Sequence, residues 1–118
     1  MDELGGALVP FLKDSKNYPL ALLYKCDYFL IVSGEDKDYP NRISIGIRWR
    51  KSRNEEDNKL NPLGFPLTRN MIKCWFIMPD DLALCLLNYI KDKGSENNCT
   101  IYKDAISGAI QELAKQIK

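Results

Sequence analysis

Apolar and polar positions alternate most strictly over Arg42 to Arg50, where Ile43, Ile45, Ile47 and Trp49 interleave with Ser44, Gly46, Arg48 and Arg50. Successive side chains of a strand leave opposite faces. The spacing therefore predicts a half-buried strand with the isoleucines and Trp49 toward the core and Ser44, Gly46, Arg48 and Arg50 toward solvent. Upstream, Leu20 to Val32 is rich in apolar and aromatic residues and stops at the polar stretch Ser33 to Asp38. At least one strand is expected here, at Tyr28 to Val32, antiparallel to the first. Residues 51 to 62 are almost wholly polar and read as a solvated, mobile loop. Leu63 to Leu67 reads as a short edge segment, because Pro66 has no N–H to donate and so forbids a central strand position. Met71 to Met78, apolar except for Lys73, reads as a more fully buried strand.

The period then changes. Pro79-Asp80-Asp81 has the proline and the paired acids that suit the positive end of a helix, and Gly94 supplies its stop. Leu82, Ala83, Leu86, Leu87 and Ile90 form one apolar stripe, and Leu84, Cys85 and Tyr89 widen it, which predicts burial on two sides. A second helix is expected from about Thr100, read as its cap, to Ile117, with Tyr102, Ile106, Ala109, Ile110, Leu113 and Ile117 on one side. Over residues 1 to 19, Leu4, Leu8, Phe11 and Leu12 have helical spacing against Gly5, Gly6 and Pro10, so a short or irregular helix is expected. Strands first and helices last give the α+β class: an antiparallel sheet of about three to five strands with two C-terminal helices packed on one face.

The 118 residues have the size of one domain, and 45% hydrophobic with 28% charged residues is the balance of a globular chain. A single domain over 1–118 is expected. A net charge of +1 leaves no overall field toward nucleic acid or an anionic membrane, so charge-driven binding must come from local segregation. The start, with Asp2 and Glu3 and an apolar patch broken by Pro10, does not read as a secretory signal, and the apolar runs are too short to span a bilayer. A cytoplasmic protein with no membrane partner is expected.

Chemistry is constrained by what is missing. The chain has no histidine, and its four cysteines, at 26, 74, 85 and 99, form no Cys-x-x-Cys pair, so a zinc site and the usual nucleophile–base pairings are not expected. Cys74 and Cys85 lie in apolar segments and read as buried, reduced thiols. No Gly-rich phosphate loop is present. The carboxylate clusters, Asp80-Asp81 and Glu55-Glu56-Asp57, read as helix-dipole chemistry and a solvated loop. The chain is accordingly read as non-enzymatic and without a cofactor.

The departure from a mixed surface is the run Arg42, Arg48, Arg50, Lys51 and Arg53, five bases with no acid among residues 42 to 53. On a strand, Arg48 and Arg50 leave the same face about 6.6 Å apart, close to the step between phosphates of an extended nucleic-acid strand. Ser44 and Gly46 on that face would admit a ligand to the backbone. Trp49 would face the core, leaving Tyr24, Tyr28, Tyr39 and Phe65 as candidates for base stacking.

The stretch Ile43-Ser44-Ile45-Gly46-Ile47-Arg48-Trp49, followed by a polar loop and then Pro62 and Gly64-Phe65-Pro66-Leu67-Thr68, resembles the single-stranded-DNA-binding domain of the transcriptional coactivator positive cofactor four family. The resemblance covers about residues 43 to 68, with a looser match of the helix from Pro79. It implies a homodimer that holds single strands on curved sheets, with Arg48, Arg50, Lys51 and Arg53 as phosphate contacts and Phe65 holding the following strand. This chain departs from the family in the extra segment Met71 to Met78, the second helix and the acids at the centre of the loop.

Two functional expectations follow. One is a single-stranded DNA- or RNA-binding domain, dimeric, using Arg42, Arg48, Arg50, Lys51 and Arg53. The other is a protein-interaction or accessory module in which the sheet or the apolar helix faces a protein partner. A pocket lined by Trp75, Phe76 and Tyr89 is a third.

Overall fold

In the computed structural model the described residues are 12–13, 16, 18–36, 38–49, 52–54, 59–61, 75–94 and 99–117. They form, in chain order, β1 (Leu12–Lys13), β2 (Ala21–Lys25), β3 (Phe29–Asp36), β4 (Tyr39–Trp49), β5 (Ser52–Asn54), β6 (Lys59–Asn61), β7 (Phe76–Met78), α1 (Asp80–Lys93), β8 (Thr100–Ile101) and α2 (Lys103–Ile117). The fold is α+β, as expected. Five antiparallel strands run in the order β7-β4-β3-β2-β8, with β1 also paired to β3.

β3 and β4 are the spine. Ile31 pairs with Ile47, Ser33 with Ile45 and Glu35 with Ile43, so one face of the pair carries the apolar row. α1 and α2 lie on that face. Leu23, Ile31, Ile43 and Ile45 from the sheet close with Ala83, Leu87, Ile90, Ile106, Ala109 and Leu113 from the helices into the larger core cluster.

The opposite face is buried too. Leu30 and Val32 of β3, with Leu20 and Trp75, form a second apolar cluster against which Leu22 and Ile77 pack. A strand covered on both faces loses its alternation, and the unbroken run Phe29-Leu30-Ile31-Val32 in the middle of the sheet is that pattern.

The helices begin and end as their residues dictate. Pro79 stands at the N-cap of α1, and Gly94, at φ 78° and ψ 179°, takes a positive-φ extended conformation open to glycine and closes the helix with its N–H donated to the Ile90 carbonyl. α2 starts at Lys103, and Thr100, rather than capping it, sits in β8 opposite Lys25. Gln116, near the end of α2, performs a strand's work. Its side-chain amide accepts from the Ile43 N–H at 2.7 Å and donates to the Ile43 carbonyl at 3.0 Å, two residues before the pair Ile45 and Met78 where β7 engages β4.

Several expectations are corrected. Residues 52–54 and 59–61, read as loop, pair as a two-stranded antiparallel ribbon, with Arg53 opposite Leu60. Polar composition sets exposure, but a backbone ladder forms whatever the side chains are. Leu12, read as helical, lies in β1 opposite Asp36. Of the expected strand Met71 to Met78, residues 71–74 lie outside the described residues, Trp75 is buried, and 76–78 form β7 with Phe76 exposed rather than buried. Ile117 is exposed as well. The rest of the expected N-terminal helix, Leu63 to Leu67 and Cys74 lie outside the described residues.

Candidate functional site

The two bases of the run whose side chains are described, Arg42 and Arg48, do not form an open basic face. Arg48 sits on the second face of the sheet, opposite Leu30, and is only 2% exposed. Its Nε–H donates to the Trp49 carbonyl at 3.3 Å. The expectation that Arg48 faces solvent is thus overturned, because that face has an apolar cluster of its own. Arg42 is partly exposed, and its guanidinium is bonded to the Asp80 carboxylate, which also accepts from Gln116 Nε2 at 3.1 Å. Arg53 has its backbone in β5. Arg50, Lys51 and the Arg53 side chain lie outside what is described.

Trp49 shows the reverse error. It does stand on the helix side, opposite Phe29, with the two rings edge to face at 5.5 Å, yet it is 47% exposed. Phe76 is opposite Ile47 and therefore on the same face, one diagonal step from Trp49, and is also exposed. Tyr24, buried, continues the row through Phe29 at 5.4 Å. An aromatic row therefore crosses β2, β3, β4 and β7 and emerges into solvent at Trp49 and Phe76.

The outer side of α1 is the second unexpected surface. Ala83, Leu87 and Ile90 are buried, whereas Leu82 (58% exposed), Cys85 and Tyr89 (63% exposed) face outward, so the expected burial on two sides is not found. The spacing i, i+3, i+7 sets these three on one stripe. Lys93 lies over the Tyr89 ring at 5.8 Å. Trp75, Phe76 and Tyr89 do not line a common pocket, since they belong to the second face, the first face and the outside of α1.

What the sequence reading missed is a cleft of about 440 Å³ at the β3–β4 turn. It is built by a bulge. Asp36 pairs with Tyr39 and Glu35 with Ile43, so Pro40, Asn41 and Arg42 have no partner on β3. Pro40 has no N–H to lose, and Asn41 takes φ 67°, a left-handed conformation that asparagine tolerates well, with its N–H donated to Glu35 Oε2 at 2.7 Å. The bulge turns Tyr39 and Arg42 toward the start of α1. Ile77, Met78 and Pro79 wall the cleft, Asp36 and Ser44 lie in it, and the Arg42–Asp80 pair closes one end. Gly34, directly across from Ser44, contributes no side chain to crowd it. The sequence signal was present in Pro40-Asn41, a turn dipeptide inside an apparent strand.

Among the described residues there is no group of potential metal ligands and no helix long and apolar enough to cross a membrane. Cys26, Cys85 and Cys99 are free thiols, and Cys85, read from sequence as buried, is exposed. Comparison with protein-family models, with curated proteins and with solved structures finds no match, and the functional reading therefore rests on geometry.

Proposed function

We propose that the chain is a non-enzymatic interaction module that associates with a second copy of itself through the outer face of α1. The observation that carries this reading is the double-sided apolar character of that helix. Its core needs are met by Ala83, Leu87 and Ile90, while Leu82, Cys85 and Tyr89 remain in water. A second copy is favoured over another partner by self-complementary charge. Asp81 is exposed in the first turn of α1, and Lys91 and Lys93 are exposed in the last. Antiparallel pairing about a two-fold axis would set each acidic end against a basic end, with Cys85 near the axis. The patch is far smaller than the about 20–30 residues a side of a standard interface, so a weak, concentration-dependent dimer is expected.

Sedimentation over a concentration series tests this directly. The native chain should shift from monomer to dimer, Leu82→Asp should remain monomeric, and mild oxidation should trap a Cys85–Cys85 dimer. A native chain that stays monomeric at every concentration defeats the proposal.

A second reading is favoured by one observation, the emergence of Trp49 and Phe76 into solvent beside Arg50, Lys51 and Arg53 in sequence. Exposed aromatics next to bases suit stacking of a single strand, in keeping with the resemblance to the positive cofactor four family. Fluorescence anisotropy with short oligonucleotides at two salt concentrations separates the readings. Salt-sensitive binding abolished by Trp49→Ala would favour it, and absence of binding at low salt would remove it.

A further inference from the structure

The cleft at the β3–β4 bulge is lined by two mostly buried polar residues with hydrogen-bonding capacity to spare. Asp36 and Ser44 are 6% and 5% exposed. One carboxylate oxygen of Asp36 accepts the Asp38 N–H at 2.9 Å. Its other oxygen, and the Ser44 hydroxyl, have no hydrogen-bond partner among the described residues, and neither is sealed from solvent. Both residues line the cleft. Both atoms reach water in the cavity, so the free acceptor capacity of two otherwise buried residues is open to the donors of a ligand.

The surroundings define the chemistry of that ligand. Asp36 and Asp80 bring two carboxylates and Arg42 one guanidinium, which is already bonded to Asp80, so the described lining residues carry one unbalanced negative charge. A cationic group suits that balance. Ile77, Met78 and Pro79 offer an apolar wall, and the Tyr39 ring, 63% exposed, stands at the lip where it can cover an alkyl stem or attract a positive charge. A volume of about 440 Å³ admits a short chain or a single side chain and excludes a folded element.

We propose that this cleft is a binding site for an ammonium group on a short apolar stem, with Asp36 and Ser44 accepting hydrogen bonds from its N–H groups and Tyr39 with Ile77 packing its stem. An ammonium brings three donors, enough for the Asp36 oxygen and the Ser44 hydroxyl together. The stem is carried either by a free alkylamine or by a lysine of a partner protein, whose chemistry is the same at this site. The site does not involve the outer face of α1 and stands whether or not the chain dimerises.

Amide chemical shifts of the isotope-labelled chain, titrated with n-butylamine at millimolar concentration, test the proposal. Shifts confined to Tyr39, Ser44 and Ile77 and their neighbours are expected, with none from n-pentanol, the neutral analogue of similar length. A capped Ala-Lys-Ala peptide provides the second arm. Tighter binding of the peptide identifies a protein side chain as the source, and equal or weaker binding identifies the free amine. Asp36→Asn should weaken butylamine by about tenfold or more, while Arg42→Ala, which frees the Asp80 carboxylate, should strengthen it. Misfolding does not produce a gain, so the second variant decides the matter even if the first is unstable. Pentanol matching butylamine, absence of shifts at the cleft, or unchanged affinity in both variants would overturn the assignment.

Discussion

Arg48 and Trp49 are neighbours whose exposures are the reverse of what their chemistry suggests. The guanidinium is buried at 2% exposure beside Leu30, and the indole is 47% exposed. Both keep the sides assigned by alternation, since Ile43, Ile45, Ile47 and Trp49 do share a face. What alternation cannot supply is whether each side is covered at that point along the strand. A buried arginine packs its stem and places its head among specific acceptors, so its loss is felt in stability. Arg48→Ala should lower the unfolding free energy by about 2 kcal/mol, read as a lower denaturant midpoint, and should leave any oligonucleotide binding unchanged. An unchanged midpoint would show that Arg48 is in fact solvated. Asn41 makes a similar point in the backbone: its φ of 67° is legible only as a hint from Pro40-Asn41, whereas the three unpartnered residues follow from the register of β3 against β4.

α1 and α2 were legible because a 3.6-residue period, a proline start and a glycine stop are local signals. The N-cap at Pro79 and the C-terminal turn at Gly94 lie where those residues place them. The orientation of α1 was less legible, because eight apolar residues on one helix do not say which arc meets the sheet. Leu87 is fully buried and Leu82 is 58% exposed, which sets up an internal contrast. Leu87→Ala should cost about 3 kcal/mol, and Leu82→Ala less than about 0.5 kcal/mol, by chemical denaturation of dilute protein. Equal costs would mean that α1 is rotated about its axis. β5 and β6 were missed because their pairing is made by backbone groups that any non-proline residue possesses, and their side chains, polar except for Leu60, carry no period.

At the scale of the molecule, the main sheet of the described residues has two buried faces, with a helical layer on one and a second apolar cluster on the other. β3, hydrogen-bonded on both edges and covered on both faces, should be the last part to open. Its amides from Leu30 to Val32 should exchange hydrogen at the rate set by global unfolding, while those of β8, a two-residue edge strand, exchange much faster. Uniform rates across the sheet would contradict this layering. The α+β class, the two C-terminal helices and the apolar row Ile43, Ile45 and Ile47 follow from the amino-acid order alone, because each depends on a residue and its near neighbours through a fixed backbone geometry. The covering of Arg48, the opening at Trp49, the outer stripe of α1 and the cleft of Asp36 and Ser44 depend on which distant segments meet. Burial is a property of the partner surface as much as of the residue, and no period along one strand encodes what arrives from β7, Trp75 or Asp80 to cover it.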